Sequence, residues 1–70
     1  MTNKEMTYYR LYLKDYLLQQ GDSRANDDDF INDRSDKAEE VYEQGRREGL
    51  AVWQAHERAI HTLTSGLDTN

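Results

Sequence analysis

No cysteine and no proline occur in the seventy residues of this chain. The first absence removes disulfides and thiolate metal sites as staples, and the second leaves helices uninterrupted. A chain this short exposes a large share of its surface and is marginally stable without staples. Two histidines are too few to build a structural metal centre. What remains is efficient helix packing, self-association, or both. Four isolated glycines suit helices and do not suit a many-stranded β fold with tight turns.

Three of those glycines act as punctuation. Gly21 follows Leu-Leu-Gln-Gln, Gly49 follows Gly-Arg-Arg-Glu, and Gly66 follows His-Thr-Leu-Thr-Ser. Each stands where a left-handed residue ends a helix. Leu50 and Leu67, directly after two of them, can fold back on the preceding turn as a Schellman motif prefers. The spacing therefore predicts an all-α chain, a small three-helix bundle with helices at about 4–20, 28–48 and 51–65. Hydrophobic residues make up 36% and charged residues 33%; this is lean, but the apolar positions are periodic. The expectation is a single helical domain over 1–70, with an ordered core of about 5–67 and frayed ends.

Helix 1 holds four of the five tyrosines. At 100° per residue, Met6, Tyr9, Leu13, Tyr16 and Leu17 form one face, flanked by Tyr8 and Tyr12, with Arg10, Lys14 and Asp15 opposite. A phenol ring on an apolar stripe packs while its hydroxyl reaches water, so these tyrosines read chiefly as core. Leu11 and Leu18 fall seven apart on the polar side. With Tyr8 and Tyr12 they form a candidate partner surface, for a copy of the same chain or another protein.

Helix 2 carries Phe30, Ile31, Arg34, Ala38, Val41, Tyr42 and Gly45 at spacings of three and four. Asp27, Asp28 and Asp29 cap its start, where carboxylates suit the positive end of the helix dipole. Gly45 in a helix interior costs about 1 kcal/mol against alanine, which predicts close approach by a bulky neighbour such as Trp53 or a tyrosine. Arg34 lies in the apolar seam, where its guanidinium can stack on a tyrosine or pair with an acid. Helix 3 offers Val52, Trp53, Ala55, Ala59, Ile60 and Leu63, with the two spaced alanines as a smooth strip. The expected core is Tyr9, Leu13, Tyr16, Leu17, Phe30, Ile31, Ala38, Val41, Tyr42, Trp53, Ala59 and Leu63, with the indole as its central anchor.

Chemistry is harder to find. The acids from Asp22 or Asp27 onward fail an EF-hand count, because Arg24, Ile31 and Asn32 occupy positions that calcium needs for ligands or glycine. His56 and His61 are five apart, so the second ring turns about 140° from the first and the zincin arrangement is lost. Ser23, Ser35 and Ser65 read as loop or helix-start residues with no glycine elbow and no histidine nearby. Phosphate-binding glycine loops are absent, and a bundle this small has little room for a ligand pocket. The expectation is therefore no enzyme: no catalytic residues, no cofactor, no metal and no small-molecule ligand.

Charge narrows the partners. The net charge is −5, and Asp22 to Glu48 hold ten acidic and five basic residues, which accounts for the whole excess. Such a patch disfavours phosphate backbones and anionic membranes. A helix-turn-helix alignment on Gly49 puts Gln44 and Glu48 where buried apolar residues are needed, so DNA binding is disfavoured too. Arg46, Arg47 and Arg58 make a local basic corner that reads as cations at a helix C-terminus. Met1 to Glu5 is polar, and no apolar run reaches signal-peptide or membrane-spanning length. A cytoplasmic protein is expected.

Taken together, Tyr8-Tyr9-Arg10-Leu11, Tyr16-Leu17, Phe30-Ile31, Arg34, Ala38, Tyr42-Glu43, Gly49, Ala55, Ala59, Leu63 and Gly66-Leu67 form a pattern. In it the sequence resembles a group of short bacterial proteins of unknown function, often encoded on or near conjugative transposons. The resemblance covers about Tyr8 to Leu67 and implies a small all-helical fold without catalytic residues or a ligand. It departs after helix 1, where the family tends to a His-Pro and this chain has Gln20-Gly21-Asp22. The first expectation for function is a non-enzymatic protein-interaction or accessory module, with self-association as one branch. The alternative is an acidic regulator or nucleic-acid mimic that occupies a basic or DNA-binding partner.

Overall fold

The structure, a computed structural model, describes residues 4–67, and from Tyr8 onward the surroundings of each side chain. Met6, assigned above to the core face, lies outside the residues whose side chains are described. Three helices follow in order: α1 (Lys4–Gln19), α2 (Asp28–Arg47) and α3 (Val52–Thr64), with a short 3-10 turn at Ser23–Asn26 between the first two. Among the described residues there are no strands. No described helix is long and apolar enough to cross a membrane.

The first two glycines close their helices as expected. Gly21 has φ +69° and Gly49 φ +95°. Asp22 N–H donates to the Leu17 carbonyl at 2.9 Å and Gly21 N–H to Leu18 at 3.0 Å, and the same pair of bonds runs from Leu50 to Gly45 and from Gly49 to Arg46. Both are Schellman ends that satisfy last-turn carbonyls. Gly66 differs. Ser65 is extended (φ −62°, ψ 129°), Gly66 has φ +77°, and Leu67 N–H donates to Thr64, which makes a type II turn. That geometry does not repeat the Schellman pair, and Arg34 takes up the remaining carbonyls. Its Nη1 donates to the Ser65 carbonyl at 2.8 Å and lies 3.4 Å from those of Thr62 and Leu63. A cation at this end also suits the helix dipole.

Among the described residues, Arg34 therefore meets backbone carbonyls and the Phe30 ring, neither a tyrosine nor an acid. Its guanidinium lies 5.4 Å from the Phe30 ring centroid, and that of Arg24 lies 5.1 Å from the same ring. Arg24 is held in turn by Asp22, whose Oδ1 accepts from Arg24 N–H at 2.9 Å and from its Nε at 3.0 Å. These hydrogen bonds from the Arg24 side chain and backbone hold the Asp22 carboxyl down to about 2, below the ordinary aspartate value. A depressed folded value means the pair contributes above the unfolded carboxyl's range near pH 4 and loses that contribution as pH falls toward 2. An NMR titration of the Asp22 side chain should show this low midpoint, and Arg24→Ala should return it toward 3.8. An unshifted midpoint in the parent chain would contradict the pairing.

α2 is the central rod. It runs antiparallel to α3, with Gly45 against Ala55 at one end and Arg34 against Ser65 at the other. α1 packs on its other flank, where Arg10 Nη1 donates to Asn32 Oδ1 at 3.1 Å. Between them lie Tyr9, Leu13, Leu17, Ala25, Ile31, Ala38, Ala59, Leu63 and Leu67, all buried, with Tyr16, Phe30, Tyr42 and Ile60 packed around them. Val41 is half-buried. Asp27 caps α2 by accepting from Phe30 N–H at 3.1 Å. Ser35, read above as a loop or helix-start residue, instead stands fully buried within α2, its hydroxyl donating to the Ile31 carbonyl at 2.7 Å. The bond back by one turn is what lets a polar side chain sit between helices.

Trp53 is the main correction. It is not the central anchor: 65% of it is exposed. The buried line of α3 is Ala55, Ala59 and Leu63, and position 53 points about 160° away from position 55. Gly45 accordingly admits no bulky ring. The side chains it meets are Ala55 and Leu50.

Candidate functional site

α1 and α3 meet where Tyr8 and Tyr9 approach His56. The Tyr9 ring is buried and stacks on the imidazole at 6.0 Å between centroids, with 24° between planes. Tyr8 lies 5.3 Å from the same imidazole, 5.7 Å edge-on from Tyr9 and 6.0 Å from Tyr12. His56 is half-buried. One turn earlier on α3, at intervals of four and three from His56, stand Val52 and Trp53, and residues so spaced are neighbours on a helix surface. Exposure is 46% for Tyr8, 38% for Tyr12, 55% for Val52 and 65% for Trp53. Two helices thus contribute to one aromatic face that is open to solvent.

The expected partner surface is divided by the fold. Tyr8 and Tyr12 join the aromatic face. Leu11 and Leu18 are exposed as well, at 65% and 56%, but they lie on the far side of α1 from Tyr9. Leu11 borders a shallow groove with Arg10, Lys14, Asp28, Ile31 and Asn32. The leucine pair is therefore a separate patch. Sequence reasoning missed Val52, Trp53 and His56 as members of a surface. Counting α3 from its alanine strip would have turned Trp53 outward.

Other features resolve into local pairing. Arg46 donates to the Leu50 carbonyl at 2.7 Å, Arg47 to Gln44 at 3.2 Å, and Arg58 lies 3.4 Å from a Glu48 carboxylate oxygen. An open cleft of about 510 Å³ between α2 and α3 is lined by Glu40, Val41, Gln44, Gly45, Arg47 and Arg58, so room exists, though as a groove and not an enclosure. His61 is exposed, on a different side of α3 from His56. On the solvent side of α2, opposite Ile31, Ser35 and Ala38, runs a row of exposed carboxylates: Asp29, Asp33, Asp36, Glu40 and Glu43. The intervals of four, three, four and three keep them in line over about 21 Å.

The family described as a domain of unknown function, DUF1896, matches residues 1–69. The chain belongs to this family. No curated protein and no solved structure matches it. In this DUF1896 domain, most residues that carry the resemblance noted above make the framework. Tyr9, Leu17, Ile31, Ala38, Ala55, Ala59, Leu63 and Leu67 are buried, and Arg34, Gly49 and Gly66 finish helices. Trp53, Val52 and His56 stand outside that pattern.

Proposed function

We propose that this DUF1896 domain is a non-enzymatic protein-interaction module whose contact face is the aromatic surface of Tyr8, Tyr12, His56, Val52 and Trp53. The supporting observation is Trp53. A lean chain leaves its largest apolar side chain and its only tryptophan outside the core, one helical turn from the imidazole that Tyr8 packs against. Tryptophan and tyrosine are the residues that most often anchor protein interfaces. Each tyrosine brings a hydroxyl for the wet rim and a ring for the dry centre. A cytoplasmic setting belongs to the same proposal.

The test separates fold from contact. Trp53→Ala should change unfolding free energy by no more than about 0.5 kcal/mol, as for exposed positions, and should abolish retention of the native partner from cell extract. A variant that loses its fold, or keeps its partner undiminished, would defeat the reading.

A second reading rests on the carboxylate row of α2. Its charges recur about every 5 Å, on the scale of the 3.4 Å spacing along one nucleic-acid strand. An acidic regulator that occupies a basic or DNA-binding protein would use this side, and the conjugative-transposon context implied by the resemblance would suit it. Such a complex weakens steeply with salt. Partner retention that is insensitive to salt, or unchanged by Asp33→Asn with Asp36→Asn and Glu40→Gln, would exclude it.

A further inference from the structure

We propose that the partner on the aromatic face is a second copy of this chain, paired face to face so that each Trp53 packs against the Tyr8–His56–Tyr12 surface of the other. This rests on the interaction-module reading and names its occupant. The first argument is area. The exposed parts of Trp53, Tyr8, Tyr12 and Val52 present about 400 Å² of chiefly apolar side chain, taking 150–250 Å² for a whole aromatic residue. A standard interface buries about 800 Å² per partner and is a little over half apolar. The face therefore supplies the apolar centre of one such interface, with Asp15 and Gln19, which border Tyr12, as polar rim. Because α1 and α3 present the rings as one surface, a two-fold axis through it pairs the patch with itself, as an isologous dimer requires.

The second argument is charge. A net charge of −5 per chain opposes pairing only where the charges approach each other. The carboxylate row lies on the far side of α2 from the aromatic face, and a helix with its side chains is about 10 Å across. Pairing through the aromatic face leaves the two rows more than about 20 Å apart, beyond two Debye lengths of about 8 Å. Pairing through α2 would bring the rows together. The arrangement of charge thus favours this face over the solvent side of α2 for self-contact and keeps the carboxylate row outward.

The test uses the intact chain and its single tryptophan. Light scattering from about 1 to 500 µM, the range over which modest interfaces assemble, should show two 8.3 kDa chains at the upper end and one on dilution. Trp53 emission should move to the red over the same range as the indole returns to water. Trp53→Ala should weaken pairing by about 30-fold or more with an unchanged helical signal, Tyr8→Ala should weaken it less, and Leu11→Asp should leave it intact. A monomer throughout overturns the proposal, and so does a dimer that survives Trp53→Ala or dissolves with Leu11→Asp. If the chain is monomeric yet another protein is retained by the parent and not by Trp53→Ala, the second copy is wrong and the interaction-module reading stands. If neither association depends on Trp53, both fall.

Discussion

Replacing Gly45 by leucine is expected to abolish the cooperative melt of the domain. A β-carbon built at Gly45 lies 3.1 Å from the Ala55 methyl, 3.2 Å from Leu50 Cδ1 and 3.4 Å from Ala55 Cα. Two of these neighbours belong to the facing backbone or its first side-chain atom, so little can rotate away. Alanine tests the margin: about 1 kcal/mol of helix propensity is gained against about 1–3 kcal/mol of overpacking. Gly45→Ala should therefore be near neutral or destabilising by up to about 2 kcal/mol. Leucine adds three carbons beyond a β-carbon already wedged against Ala55 and Leu50, and turning them into the open cleft beside Gly45 leaves that wedge in place, so α2 must part from α3. A chain of this length has about 3.5–10 kcal/mol in total, and the α2–α3 contact is its main seam. Circular dichroism melts and urea titrations of the pair would measure this. A Gly45→Leu chain that melts with the parent would mean the helices do not meet here.

Much of this fold was legible because local chemistry and the tertiary arrangement agree. Gly21 and Gly49 ended helices where left-handed backbone was needed, Asp27 capped the next one, and the run Tyr9, Leu13, Leu17 kept one face through about two turns. Periodicity also placed Ala55 and Ala59 correctly. The failures share a cause: they concern which partner a side chain meets, and sequence spacing is silent on that. Arg34 was visible as a misfit in the seam, but its carbonyl partners exist only because Gly66 makes a type II turn in place of a third Schellman end. Ser35 sat at a core position by register, and only its bond to the Ile31 carbonyl explains how a hydroxyl can stay there.

Trp53 differs in kind, because the size of an indole argues for a place in the core while its register on α3 turns it outward. Once it is turned outward, the candidate site changes character. The surface foreseen on α1 alone, Tyr8 and Tyr12 with Leu11 and Leu18, becomes a two-helix aromatic face and a separate leucine pair. The carboxylate row then acquires a meaning it lacked in sequence. It lies on the side of the molecule away from the rings, so an apolar contact and an acidic exterior can coexist in a very small chain.

Truncating Leu63 to alanine should cost far more than truncating Trp53, although the indole is much the larger group. Leu63 is fully buried among Leu13, Leu17, Ala38, Ala59 and Leu67. Removing three buried carbons costs about 2–5 kcal/mol, and the value rises with the cavity that persists. Here the neighbours on α2 and α3 include short alanines, which cannot swing into the void, so about 3 kcal/mol or more is expected. In a domain of this size each kcal/mol lowers the midpoint by about 4–8 °C, giving a fall of at least about 12 °C. Trp53→Ala should move the midpoint by only a few degrees, because most of the ring already faces water. Both melts belong at low protein concentration, where self-association adds nothing to apparent stability. The reverse order, with the tryptophan variant the less stable, would mean the indole is covered within a single chain, and the aromatic face would cease to exist as a surface.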